Sequence, residues 1–262
     1  MKQVLIPLLM VAFIISSCEK ENATDPSEVN CRLIQSENTV TNGLIGDEQN
    51  ITNYYYDNKK RLIQVVEHIS GAASADKTTE IIYNGDKIWE VTVTWSHVDN
   101  PQYYSFSYDG DLPDTFYYSN DFSDHGYMLL SYSGIKLTGA EYWYKDSYDD
   151  VYELKWNETI EWEGDKVVRS SSHDESFDGI VTAHFEYDNK KVPVRLTPMG
   201  YINRDFTFLS TNNVTRQYLS VQGNNFFEVN YTYTYNDDGY PLTKTVELAE
   251  TTNETIYEYN CN

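Results

Sequence analysis

From residue 31 onward the chain alternates between apolar and polar positions with period two, as strands with one buried face do. In Tyr231-Thr232-Tyr233-Thr234-Tyr235 the aromatics fall on one face, and in Trp89-Glu90-Val91-Thr92-Val93-Thr94-Trp95 so do Trp89, Val91, Val93 and Trp95. Thr, Glu, Ser and Asn take the other face. The alternating segments are separated by one recurring punctuation: an aromatic, then Asp, Asn or Gly, then often Lys and an aliphatic. It reads Tyr56-Asp57-Asn58-Lys59-Lys60-Arg61-Leu62, then Tyr83-Asn84-Gly85-Asp86-Lys87-Ile88, Tyr108-Asp109-Gly110-Asp111-Leu112 and Tyr132-Ser133-Gly134-Ile135-Lys136-Leu137. Later copies are Trp162-Glu163-Gly164-Asp165-Lys166-Val167, Tyr187-Asp188-Asn189-Lys190-Lys191-Val192 and Tyr235-Asn236-Asp237-Asp238-Gly239-Tyr240-Pro241-Leu242.

The leading aromatics stand 24 to 30 residues apart except for a last gap of 48, which holds two periods and a degraded copy near Leu209 to Val214. A unit of about 25 residues accommodates two strands and two turns, and Asn-Gly and Asp-Gly pairs accept positive φ at low cost. The expected fold is all-β: an antiparallel up-and-down meander of about 14–16 strands. Helices have little support. So long a meander would expose two sheet edges, and closure into a β-barrel, flattened because so wide a ring is hard to fill, removes them.

The N-terminus has a different pattern. Lys2 is followed by an apolar run from Val4 to Ile15 and then by Ser16-Ser17-Cys18. Twelve apolar residues fall short of the roughly 20 needed to span a bilayer, so residues 1–17 read as a signal peptide rather than a membrane helix. Ile15-Ser16-Ser17-Cys18 resembles the lipobox at which bacterial lipoproteins are cleaved and diacylated, which makes Cys18 the lipidated first mature residue and the lipid its membrane anchor. Residues 18–30 are polar, contain Pro26 and read as a flexible tether. Glu19 and Glu21 resemble the surface-export signals of Bacteroidetes lipoproteins. Residues 31–262 are expected to form one all-β repeat domain.

With Cys18 committed to lipid, Cys31 and Cys261 remain as an even pair in an oxidising compartment, where a disulfide is expected. They flank the first and last strands, which become neighbours only if an even number of strands closes. Two unpaired thiols are the alternative. The Tyr-Asp-x-Lys-x-aliphatic turns resemble a family of Bacteroidetes lipoproteins of unknown function with a porin-like fold, and more loosely the Tyr-Asp repeats of Rhs-type proteins. The resemblance implies a porin-like barrel and brings no activity or site residue.

Composition narrows the partners. A formal charge of −22 argues against nucleic acid, whose phosphates demand Lys and Arg, and against a polybasic membrane contact. The 24 tyrosines suit sheets, but their hydroxyls at successive same-face positions would lack partners in lipid, so the barrel is expected to stand in water. His68, His97, His125, His173 and His184 have no metal-ligand spacing, and neither metal nor cofactor is implied. Asp109, Asp111, Asp114, Asp121 and Asp124 read as solvated turn carboxylates. Glu161 and Glu163 share a strand face, and a glycan hydrolase would need two such carboxylates about 5–10 Å apart. No nucleophile elbow, phosphate loop or dinucleotide fingerprint is present. The balance favours a non-catalytic lipoprotein anchored to the outer membrane, periplasmic or surface-exposed, that binds a glycan or an envelope protein, with Trp143, Trp156 and Trp162 as candidate ligand-stacking residues. A hydrolase and a structural envelope component are the alternatives.

Overall fold

A computed structural model describes residues 31–42, 47–71, 74–120, 125–145, 151–174, 179–193, 197–248 and 251–261. The leader, Cys18, the tether and Asp121 and Asp124 lie outside these. Sixteen strands follow one another: β1 (Cys31–Asn42), β2 (Glu48–Tyr56), β3 (Leu62–Ser70), β4 (Ala75–Asn84), β5 (Lys87–Trp95), β6 (Val98–Asp109), β7 (Leu112–Asn120) and β8 (His125–Ser133). They continue as β9 (Lys136–Lys145), β10 (Glu153–Glu163), β11 (Lys166–Asp174), β12 (Ile180–Lys191), β13 (Asn212–Val221), β14 (Asn224–Tyr235), β15 (Pro241–Leu248) and β16 (Thr251–Cys261). Each pairs antiparallel with the next, and β1 pairs with β16, so the ring closes. The two cysteines face each other across the seam and are joined by a disulfide spanning 230 residues of chain.

The sequence punctuation acquires a physical role at one rim. Asn84 pairs with Lys87 around a two-residue Gly85-Asp86 loop, and Gly85 takes the positive φ of 63° that the first position demands. Beside several of the turns the aromatic points inward and donates to a carbonyl of the preceding hairpin. Tyr83 Oη reaches Leu62 O at 3.0 Å, Tyr108 Oη reaches Ile88 O at 2.8 Å, and Trp162 Nε1 reaches Leu137 O at 2.7 Å. Where a basic residue follows the turn, it works in the opposite direction. Arg61 lies 4.2 Å over the Tyr83 ring and Lys87 5.1 Å over Tyr108, while their charged ends donate to Gly85 O and Gly110 O of the next loop. Neighbouring hairpins are thus latched laterally by a hydrogen bond and a cation–π contact. Tyr108→Phe is expected to cost about 1 kcal/mol, the net worth of one such bond, read as a lowered urea midpoint; an unchanged midpoint would show the latch to be idle.

Three readings of the sequence need correction. Trp89 does not share the inner face of Val91, Val93 and Trp95; a register shift between Ile82 and Tyr83, beside the hairpin loop, turns it outward at 53% exposure. Tyr187 to Val192 is not a tight turn, because β12 runs through Lys191, and Asp188 instead accepts hydrogen bonds from Asn213 N at 3.1 Å and Asn213 Nδ2 at 3.2 Å. The third concerns helix. Between β12 and β13 lie α1 (Thr197–Asn203) and a 3₁₀ turn (Phe206–Leu209), where the hairpin pattern degrades.

That connection folds into the barrel. Tyr201 and Phe206 are buried in the main apolar cluster with Val91, Phe106, Phe116 and Leu137, and Phe206 stacks on Trp156 at 6.3 Å. Asp205 caps the 3₁₀ turn, its Oδ1 accepting from Thr207 N at 3.0 Å. Ser210 fixes the exit: Val167 N donates to its Oγ at 2.9 Å, and its Oγ donates to Tyr187 Oη at 3.0 Å. A ring of this size encloses more volume than strand side chains fill, and the inserted segment supplies the missing apolar bulk on one side. Gly200 makes the close approach possible, since a Cβ there would lie 1.9 Å from the Phe208 ring.

Candidate functional site

The filling is lopsided. Around β3 to β11 the interior is apolar, whereas the inward positions of β12 to β16 and β1 are shorter or polar. The second half leaves a cavity of about 910 Å³, partly open to solvent, within the range of small-molecule sites. Its wall mixes ring faces from Tyr54, Trp156, Phe185, Tyr231, Tyr233 and Tyr257 with the hydroxyls and amides of Ser36, Asn38, Asn213, Gln217, Asn253 and Thr255. Many of these polar groups are held in place. Tyr231 Oη donates to Gln217 Oε1 at 3.0 Å, Thr255 Oγ1 donates to Asn38 Oδ1 at 3.1 Å, and Tyr233 Oη donates to Val214 O at 2.9 Å.

Among the described residues, four charged ones line the cavity: Glu158, Arg204, Asp205 and Lys244. Glu158 points inward from β10 between Trp156 and Ile160, and burial pushes its carboxyl up to about 8, against a smaller opposing pull from Arg204. It is therefore largely protonated at neutral pH. The Arg204 guanidinium stands 5.1 Å over both the Tyr142 and Trp156 rings. Lys244 enters from β15, and its ammonium is pushed down by burial, with Asp205 acting the other way through space.

The structure disperses the residues expected from sequence. Trp156 borders the cavity and is 5% exposed. Trp162 belongs to the rim latches and packs against the core. Trp143 faces outward, stacked on Tyr127 at 6.3 Å in a row with Tyr117, its Nε1 donating to Glu141 Oε2 at 3.2 Å. Glu161 also faces outward, in a two-oxygen pair with Arg169 at 3.0 and 3.1 Å, away from the cavity. Among the described residues, the group closest to metal-ligand spacing is Cys31, Asp238 and Cys261, and both sulfurs are spent on the disulfide. Sequence reasoning missed Glu158 and Lys244. The signal for Glu158 was present, since its parity places it on the face of Trp156 and Ile160.

Beside the cavity the outer wall is largely polar, although elsewhere it exposes Ile82, Tyr103, Tyr117, Leu129 and Ile256. Positions alternating with the cavity liners include Asn157, Thr159 and Glu161 on β10, Arg169, Ser171 and His173 on β11, and Glu228, Asn230, Thr232 and Thr234 on β14. Arg216 on this face bridges Glu186 at 2.8 Å and Glu228 at 2.9 Å. A lipid-facing barrel would carry an apolar band about 25 Å tall at this level.

A scan of protein-family models and a search of curated proteins return no match for the chain. Among solved structures it is similar to a porin-like protein from Bacteroides uniformis, at 13% identity and a TM-score of 0.61, over 87% of this chain and 98% of that one. A porin-like protein from Bacteroides vulgatus matches at 13% identity and a TM-score of 0.36, over 88% and 99%. At this identity, what the Bacteroides uniformis protein shares with the chain is the architecture of the barrel.

Proposed function

We propose that the chain is a non-catalytic lipoprotein of the cell envelope, tethered to the outer membrane by lipid on Cys18, whose barrel stands in water and takes a glycan into its interior. One observation carries this reading: a cavity of about 910 Å³ that combines exposed ring faces with pre-positioned amides and hydroxyls. Sugars present apolar faces edged by hydroxyls, and such a wall matches both. The outward Arg169–Glu161 and Arg216–Glu186 pairs support a barrel in water, because charges at bilayer depth are costly. The porin-like description of the similar structures supports the envelope as its location.

The test is calorimetric screening of the full chain against an oligosaccharide panel, with two variants. Ala183 lines the cavity, and Ala183→Trp places a large ring in it while leaving the outer wall intact. This variant is expected to weaken binding roughly tenfold or more by excluding the ligand, whereas Trp143→Ala on the outside leaves affinity unchanged. The reverse result would move the site to the outer Tyr117–Tyr127–Trp143 row.

A hydrolase is the second reading, favoured by one observation. Glu158, whose carboxyl burial pushes up to about 8, and Asp205 line the same cavity, and a glycan hydrolase works with two carboxyls in one site. Release of reducing ends from any bound oligosaccharide, abolished in Glu158→Gln, would establish it.

A further inference from the structure

Building on the glycan reading, we propose that Lys244 is an anion-recognition residue and that the cavity takes an acidic saccharide, bearing a carboxylate or a sulfate ester, in preference to a neutral one. Lys244 occupies an inward row between Tyr233 on β14 and Thr255 on β16. Neither neighbour accepts a hydrogen bond from it; Tyr233 Oη donates to Val214 O and Thr255 Oγ1 to Asn38 Oδ1. Lys244 forms no hydrogen bond or ion pair with any described residue; Asp205 acts on it only through space and already accepts from Thr207 N and Thr207 Oγ1. The ammonium therefore lines the cavity with no hydrogen-bond or ion-pair partner among the described residues, and only Asp205 answers its charge, at a distance.

The wall around Lys244 fits the same ligand. Asn253, two residues before Thr255 on the same inward face, lines the cavity together with the Tyr231 and Tyr257 rings. A cation, an amide and ring faces together describe an anionic group, a hydroxyl and an apolar ring face.

The charge balance agrees. Outside, the chain is strongly acidic, with a formal net charge of −22. Inside, among the described residues, Arg204 and Lys244 face Asp205 and a Glu158 that burial pushes toward its neutral form, so the described wall leans positive even though burial also weakens the hold of Lys244 on its proton. In a partly enclosed site, such a balance favours an anionic guest more than the same charges would on the surface.

The experiment is calorimetric titration of the full chain with tetragalacturonate, a sulfated carrageenan tetrasaccharide and maltotetraose, in the wild type, Lys244→Met and Lys244→Arg. At least one anionic tetrasaccharide is expected to bind about tenfold or more tighter than maltotetraose, the margin of one charge-assisted contact. Lys244→Met removes that margin and leaves maltotetraose binding as it was, whereas Lys244→Arg keeps most of it. Which anionic probe binds tighter distinguishes carboxylate from sulfate. Met matches the length of the lysine stem, and a thermal midpoint no lower than wild type verifies that the variant is folded. An anionic preference that survives in Lys244→Met, or equal binding of all three sugars, overturns the role of Lys244 while sparing the glycan reading. Failure of all three to bind overturns both.

Discussion

Replacing Cys31 and Cys261 together by serine is expected to lower the stability of the full chain by about 2–5 kcal/mol, the usual cost of losing a native disulfide. The cross-link spans 230 residues, and constraint of the unfolded chain alone accounts for about 5 kcal/mol in the loop-closure model. The bond also lies where closure is decided. β1 and β16 pair from Cys31 opposite Cys261 to Asn42 opposite Thr251, and the ladder slips between Leu33 and Gln35, next to the cysteines. Without the disulfide that end of the seam rests on irregular pairing, and a seam that opens presents two strand edges to other molecules. The urea midpoint should therefore fall and aggregation rise, and reducing agent should do the same to the wild type. Equal midpoints for wild type and double variant would show that the strand ladder alone closes the ring.

Glu158→Gln is expected to stabilise the protein at alkaline pH and leave it unchanged in mild acid. The carboxyl titrates near 4.5 in the unfolded chain and near 8 in the folded one, because burial disfavours its charge. Below the unfolded value both states are protonated and the residue is neutral in effect. Between the two values the folded state binds more protons, so stability falls as pH rises, by about 1.4 kcal/mol per unit. Above 8 the full cost is present, about 3–5 kcal/mol for a shift of this size. Glutamine has the same shape and no charge to desolvate. Denaturant midpoints at pH 4 and pH 9 should accordingly show a gain for Glu158→Gln at pH 9 alone. A gain of equal size at both values would mean that packing, not ionisation, governs the site.

The barrel was legible because its determinants are local and periodic. Alternation placed Val91, Val93 and the Tyr231–Tyr233–Tyr235 row on an inner face, and the positions of Cys31 and Cys261 implied that the first and last strands meet. What the sequence concealed depends on non-local contacts. The shift between Ile82 and Tyr83 that turns Trp89 outward is one inserted position, invisible to a count of period two. The segment from Thr197 to Leu209 carries no strand pattern because it forms α1 and the 3₁₀ turn, and its burial follows from a shortage of apolar bulk inside the ring rather than from its own periodicity. The candidate site was the least legible part. Three tryptophans drew attention by size, yet only Trp156 borders the cavity, while Glu158 and Lys244 looked like two more charges in an acidic chain. Their significance lies in facing inward, which only the register reveals.

The most direct test is a crystal structure of the full chain bound to the oligosaccharide with the highest affinity. Sugar rings are expected inside the barrel, against Trp156, Tyr231 and Tyr257, with any acidic group at Lys244. Rings seated instead on the outer row of Tyr117, Tyr127 and Trp143, with the interior holding only water, would contradict a ligand-taking barrel.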